Sequence, residues 1–227
     1  MANSFLAFYF LEFFHFDGII RFEMLIAPVF TVLYFATVKK KALLFALFLL
    51  IYSIADLINF FNQGSFKEVL YFVCNGLYML SYIFLFLEII KTVNMRIILK
   101  KFPIHFIVLT LLNIYIIFVM ITIINPIVFA TNHVITVQIA EQAYNSILLV
   151  ILSMSFLNYI LNESNSALLL FCACLAITFA DFLIIGYFYL SKGMNLIRYV
   201  TVALELMAFL LFYFHANVKL KSTVPVT

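Results

Sequence analysis

The chain has 227 residues, of which 67% are hydrophobic and only 10% charged; its mean hydropathy is +1.20 and its net charge +3. A soluble domain holds about half its residues as apolar and about 25% as charged, so a water-soluble globular fold is excluded. About seven spans of about 20 apolar residues use up the length, which leaves no room within these residues for a soluble catalytic domain.

The N-terminal residues 1–21 lack the basic start of a signal peptide. Stretch 4–20 is aromatic and apolar but carries Glu12, His15 and Asp17, and it reads as an interfacial helix or an extra span. From there the apolar runs break at charges, Pro, Gly and Asn. The pattern predicts an all-α polytopic membrane bundle of seven transmembrane helices, near 22–38, 42–62, 69–90, 103–124, 136–160, 166–190 and 196–216, or eight if the N-terminal stretch also crosses. The loops are short, so consecutive helices are expected to be antiparallel neighbours, and 1–227 reads as one integral membrane domain. Lys39, Lys40, Lys41, Lys91, Arg96, Lys100, Lys101, Lys219 and Lys221 fall on one side of this layout. Arg21, Lys67, Lys192 and Arg198 fall on the other. The richer side is expected to be cytoplasmic, with the C-terminus inside. The scatter of these bases over loops argues against nucleic acid as a partner. With no Trp in the chain, tyrosine is expected to supply the interfacial belt. Cys74, Cys172 and Cys174 lie in apolar runs and read as packing residues.

Ionisable and amide groups inside spans carry the information, because a charge at bilayer depth is costly and tends to be functional. The second span carries Tyr52, Asp56, Asn59 and Gln63 at spacings that share a helix face. The third carries Asn75 and Tyr82 on one face, with Glu88 near the cytoplasmic end, read as snorkelling. The fifth opens with Gln138, Glu141, Gln142 and Asn145, read as one face. The sixth carries Thr178 and Asp181, and the seventh Arg198, Thr201 and Glu205. At about 1.5 Å per residue, these groups converge on the outer half of the bilayer, and the cytoplasmic half is expected to be nearly free of them. A single polar cavity follows.

Asn59, Asn75, Ser153 and Thr178 suit structural glue between helices equally well. Asp56, Asp181 and Glu205 do not, because three buried acids outnumber the one nearby base, Arg198; desolvation and mutual repulsion are expected to keep at least one of them protonated and able to donate. His15, His105, His133 and His215 fall at different depths and read as interfacial or loop residues, not metal ligands. No cofactor or metal is expected. No lysine sits at mid-depth, and there is no Gly-rich phosphate loop and no G-x-S-x-G elbow.

Four stretches carry a family resemblance. Lys41-Ala-Leu-Leu opens a span, Ser53-Ile-Ala-Asp56 stands late in that span, and Gly76-Leu-Tyr-Met-Leu-Ser-Tyr82 follows in the next. Phe179-Ala-Asp181 with Val202-Ala-Leu-Glu205 lies in the last two. Together they resemble the YhhN family of membrane proteins, which includes lysoplasmalogenases. The family has Pro after the lysine, His at the position of Tyr82, and Gln or His at that of Glu205; Asp56 and Asp181 match. The resemblance implies hydrolysis of the vinyl ether of a lysoplasmalogen, a membrane lysolipid substrate, with Asp56 and Asp181 catalytic. Asn59, Asn75, Tyr82, Glu141, Asn145, Arg198 and Glu205 would support or bind, Arg198 by holding a phosphate. Two other functions fit the same residues: a non-enzymatic lipid binder of the same fold, and a small proton-coupled transporter. Against the transporter stand the continuous helices around both aspartates and the lack of an inverted repeat.

Overall fold

A computed structural model describes residues 23–61, 67–124, 134–190 and 195–221. These form eight helices and no strand: α1 (Ile26–Thr37), α2 (Leu43–Phe61), α3 (Lys67–Thr92), α4 (Met95–Lys101), α5 (Pro103–Ile124), α6 (Val134–Asn162), α7 (Asn165–Leu190) and α8 (Asn195–Lys221). Six of them, α2, α3, α5, α6, α7 and α8, are long and apolar enough to cross a membrane, which makes the chain an all-helical, multi-pass membrane protein. The stretch 1–21, Gln63, His133 and the loop bases Lys67 and Lys192 lie outside what the structure describes of side chains.

The first expected span differs. Over 22–38 the structure has a 3₁₀ turn at 23–25 and then α1, whose 12 residues rise about 18 Å, well short of about 30 Å of hydrocarbon. α1 stops where Val38 turns extended (φ −85°, ψ 110°), ahead of Lys39, Lys40 and Lys41, three ammonium groups that need water. Helix α4 was not anticipated. Asn94 caps it by accepting from the Ile97 amide, and Lys100 and Lys101 stand in its last turn, where cations suit the helix dipole. Pro103 opens α5 at a position that needs no N–H donor. Between α6 and α7 the chain reverses through Glu163, at φ 44°, and the Ser164 hydroxyl accepts the Ala167 amide of α7 at 3.2 Å.

Six helices close a ring. α1 packs on α2, α2 on α3, α3 on α6, α6 on α7, α7 on α8, and α8 back on α1. The α1 closure is stitched by Thr31 and Ser53, whose hydroxyls are 2.6 Å apart, and by Thr37 donating to Tyr213 at 3.2 Å. The α7–α8 contact is the most extensive. Fully buried Ala173, Cys174 and Ala208, with Ala176 and Ala180 close behind, let these backbones approach in the small-residue manner of membrane helices. α5 stands outside the ring against α6; only 6% of its span is buried. Chain neighbours are therefore not always spatial neighbours, because α3 packs on α2 and α6 while α5 packs on α6. The ring is filled by aromatic side chains: Phe48 meets Tyr52, Tyr82 and Phe212, and Phe209 meets Tyr52 and Phe212, at centroid distances of 5.1 to 6.2 Å.

Phe48→Ala should therefore cost about 3 kcal/mol or more of stability through the cavity it leaves, read as a lowered unfolding midpoint in detergent. Leu111→Ala on the outer face of α5, where Leu111 is 62% exposed, should leave that midpoint within error.

Candidate functional site

α2 carries Tyr52, Asp56 and Asn59 on its inner stripe, and α3 carries Tyr71, Asn75, Tyr78 and Tyr82 at spacings of four, three and four. The two stripes interlock. Tyr78 donates its hydroxyl to Asp56 Oδ1 at 2.6 Å, and Asn59 Nδ2 donates to that same hydroxyl at 3.0 Å. Asp56 is only 4% exposed, and its Oδ2 has no hydrogen-bond partner among the described residues. Across the ring, Asp181 of α7 accepts from Tyr144 of α6 at 2.9 Å and from Tyr82 of α3 at 3.4 Å, both at Oδ2. Glu141 of α6 accepts from Tyr71 of α3 at 2.5 Å. The rings form a continuous path between the aspartates: Tyr78 to Tyr52 is 4.9 Å, Tyr52 to Tyr82 is 5.8 Å, and Tyr82 to Tyr144 is 5.6 Å between centroids. Glu205 enters from α8, partly buried, and Asp56, Asp181 and Glu205 lie within electrostatic range of one another.

The structure thus brings together Asp56, Asp181, Asn59, Tyr82 and Glu205, with Glu141 one tyrosine away. Asn145 is fully buried; its amide donates to the Glu141 carbonyl at 2.8 Å, and its Oδ1 has no partner among the described residues. The remaining expectations change. Gln142 turns away from the others and donates to the Ile117 carbonyl of α5 at 3.4 Å, so the polar start of α6 serves two directions. No hydrogen bond ties Asn75 to the carboxyls among the described residues, and Asn75 is partly exposed. Arg198 does not answer the buried acids. It pairs with Glu23 at 2.8 Å, and Glu23 in turn lies within electrostatic range of Asp56 and Glu205. Glu23 is a fifth carboxyl, which the sequence hid at the ragged edge of its first apolar run.

Tyrosine is the other correction. Tyr34, Tyr52 and Tyr82 are buried and Tyr71, Tyr78 and Tyr144 are held inward by carboxyls, so this residue lines the interior and is not confined to a belt. Ser153 does act as glue, exchanging hydrogen bonds with Asn113 of α5 at 2.9 and 3.1 Å, and Thr178 bonds its own helix at the Cys174 carbonyl. His105 is exposed, whereas His215 is buried and bonded to Ser166, unlike the interfacial residue expected. Among the described residues, no three His, Cys, Asp or Glu side chains gather in a metal-binding group.

Chemically, the site is a buried layer of carboxyls with tyrosine hydroxyls as their hydrogen-bond neighbours. An orphaned buried oxygen costs about 1–3 kcal/mol, and two of them, on Asp56 and Asn145, mark where the polar part of a ligand gains most. Tyr78→Phe leaves Asp56 with neither oxygen bonded. It should lower stability by about 1–3 kcal/mol in detergent unfolding, while Tyr115→Phe on the exposed face of α5 should not.

No protein-family model, curated protein or solved structure matches this chain.

Proposed function

We propose that the chain is a YhhN-like membrane hydrolase that cleaves the vinyl ether of a lysoplasmalogen-type lysolipid, with Asp56 and Asp181 as its acid–base pair. The observation that carries this is the joining of those two aspartates, from α2 and α7, into one tyrosine-linked layer inside the helix ring. A vinyl ether is hydrolysed by protonating the alkenyl carbon distal to oxygen, which leaves an oxocarbenium cation. Water then adds to the carbon next to oxygen, gives up a proton, and the resulting hemiacetal splits into a fatty aldehyde and the glycerol hydroxyl of the headgroup. Asp56, with its unpaired Oδ2, is the proton donor in this scheme. Asp181, which accepts two hydroxyl hydrogen bonds, faces the cation and takes the proton from water. Arg198, beside Glu23 at the start of α8, is the group for the lysolipid phosphate. In this proposal residues 22–38 form a seventh span, and the C-terminus lies on the cytoplasmic side with the majority of the lysines and arginines.

A non-enzymatic lipid-binding member of the fold is the second reading. One observation favours it: Tyr82, standing where the family has His, is fully buried and wedged between Tyr52, Tyr144 and Phe48, so it offers a donor to Asp181 but no base.

Purified protein supplied with lysoplasmalogen should release fatty aldehyde. Asp56→Asn and Asp181→Asn should each slow release by about 100-fold or more, the usual range for loss of a general acid or base. Undiminished release in both variants rules out the mechanism. Tight lysolipid binding without aldehyde from the unmodified protein points to the lipid binder, and proton-dependent uptake into sealed vesicles points to a transporter.

A further inference from the structure

The end of the bundle away from the acid layer is also polar, where the sequence pattern led us to expect almost no such groups. Glu88 does not snorkel: it is 7% exposed, and Asn158 and His215 are buried at the same end. Aromatic rings separate this end from the acids. Tyr82 packs on Phe48, Phe48 on Phe212, Phe212 on Phe45, and Phe45 on His215, with centroids 5.2 to 6.2 Å apart. Outside these buried groups the same end carries a band of bases, and its densest part is the α3–α4 junction.

Residues 91–101 read Lys-Thr-Val-Asn-Met-Arg-Ile-Ile-Leu-Lys-Lys, with no acid among them. Lys91, Arg96, Lys100 and Lys101 are all exposed. Lys91 comes within 3.9 Å of Glu88, whereas Arg96, Lys100 and Lys101 form no ion pair among the described residues. The acids at this end are buried Glu88 and exposed Glu163, in the turn between α6 and α7. The bases sit on a fixed support. Ile98 is fully buried in the main core, which Val93 and Met95 also join. At about 100° per residue, Arg96 and Lys100 stand about 160° round α4 from Ile98, one on either side. Ile97 and Leu99 flank them and are exposed.

Helix electrostatics account for only part of this pattern. Lys100 and Lys101 suit the C-terminal end of α4, but Arg96 lies in its first turn, where the dipole disfavours a cation and no acid compensates. The position of α4 supplies the rest. Both α3 and α5 are long and apolar enough to span, so the short connection between them holds α4 at the level of lipid headgroups. Next to it, Leu87 and Ile90 of α3 and Ile104, Ile107 and Val108 of α5 are exposed apolar side chains.

We propose that α4, with Lys91, is a binding surface for an anionic phospholipid. Arg96 grips the headgroup phosphate with its forked guanidinium, and Lys91, Lys100 and Lys101 add point charges. The acyl chains lie against the exposed apolar side chains of α3 and α5. Bases raised on a buried anchor beside lipid-facing hydrocarbon fit a ligand that joins an anion to hydrocarbon, and the site stands independently of the hydrolase proposal.

The test is native mass spectrometry of the full chain in detergent, titrated with phosphatidylglycerol and with phosphatidylcholine of the same chains. The first phosphatidylglycerol should bind at least about tenfold more tightly than phosphatidylcholine, as expected when several bases face one anion. Arg96→Gln with Lys100→Gln, both exposed and so sparing the fold, should weaken phosphatidylglycerol at least about tenfold and leave phosphatidylcholine unchanged. The charge-matched pair Lys39→Gln with Lys40→Gln, exposed between α1 and α2, should weaken it less than about threefold. The proposal is overturned by equal affinity for the two lipids, by an unchanged affinity in the α4 pair, or by equal losses in the two pairs, which would mean net charge alone. It is also overturned if glycerophosphoglycerol or a tetraglutamate peptide displaces the lipid at comparable concentration, which would assign the surface to a soluble anion or an acidic protein.

Discussion

A carboxyl held at bilayer depth has to find its hydrogen bonds inside the protein, because hydrocarbon supplies none. In this bundle the donors are phenols. Tyr78 serves Asp56, Tyr144 and Tyr82 serve Asp181, and Tyr71 serves Glu141. Each of these bonds crosses between helices, so satisfying the acids and fastening the ring are one event. α3 is the hub, since Tyr71, Tyr78 and Tyr82 reach α6, α2 and α7 from a single stripe. A tyrosine suits the task because its ring packs as an aromatic while its hydroxyl reaches the polar atom. The rings that bring hydroxyls to the acids continue into Phe48, Phe209 and Phe212, which fill the bundle's centre.

Polarity is therefore distributed at two ends with an aromatic plug between. One end gathers Asp56, Asp181 and Glu205; the other gathers Glu88, Asn158, Asn162 and His215. The helices bearing both aspartates run unbroken through these levels. This arrangement fits chemistry or binding at fixed sites better than passage along a broken-helix pathway. Burial of the acid layer strengthens every electrostatic interaction within it, an environment that suits the proposed protonation at carbon.

Much of the architecture was legible in the sequence because membrane spans obey a strong length and polarity rule. The helices α2, α3, α5, α6, α7 and α8 were found within a few residues. The convergence of Asp56, Asp181 and Glu205 followed from depth alone. α1 ends at Thr37, one residue from the expected end of the first span, and its described part is short because a 3₁₀ turn at 23–25 precedes a helix of only 12 residues. The tyrosine network was missed because tyrosine is common both at interfaces and in cores. The spacing of Tyr71, Tyr78 and Tyr82 was visible, yet only the carboxyls facing them give it meaning. Glu23 and the Glu88 cluster were missed for a shared reason: polar residues near the ends of apolar runs read as solvated. Glu88, Asn158 and His215 are buried, so these residues assigned to the margins stand inside the protein.

The account turns on tyrosine hydroxyls and carboxyls acting as coupled pairs that hold the ring together. A double-mutant cycle in detergent unfolding, combining Tyr144→Phe with Asp181→Asn, measures this directly. Coupling of about 0.5–3 kcal/mol, the range for residues in one hydrogen-bond network, is the predicted result, with no coupling when Tyr144→Phe is paired with Asn113→Ala across the bundle's outer seam. Additive effects for Tyr144 and Asp181 would contradict it.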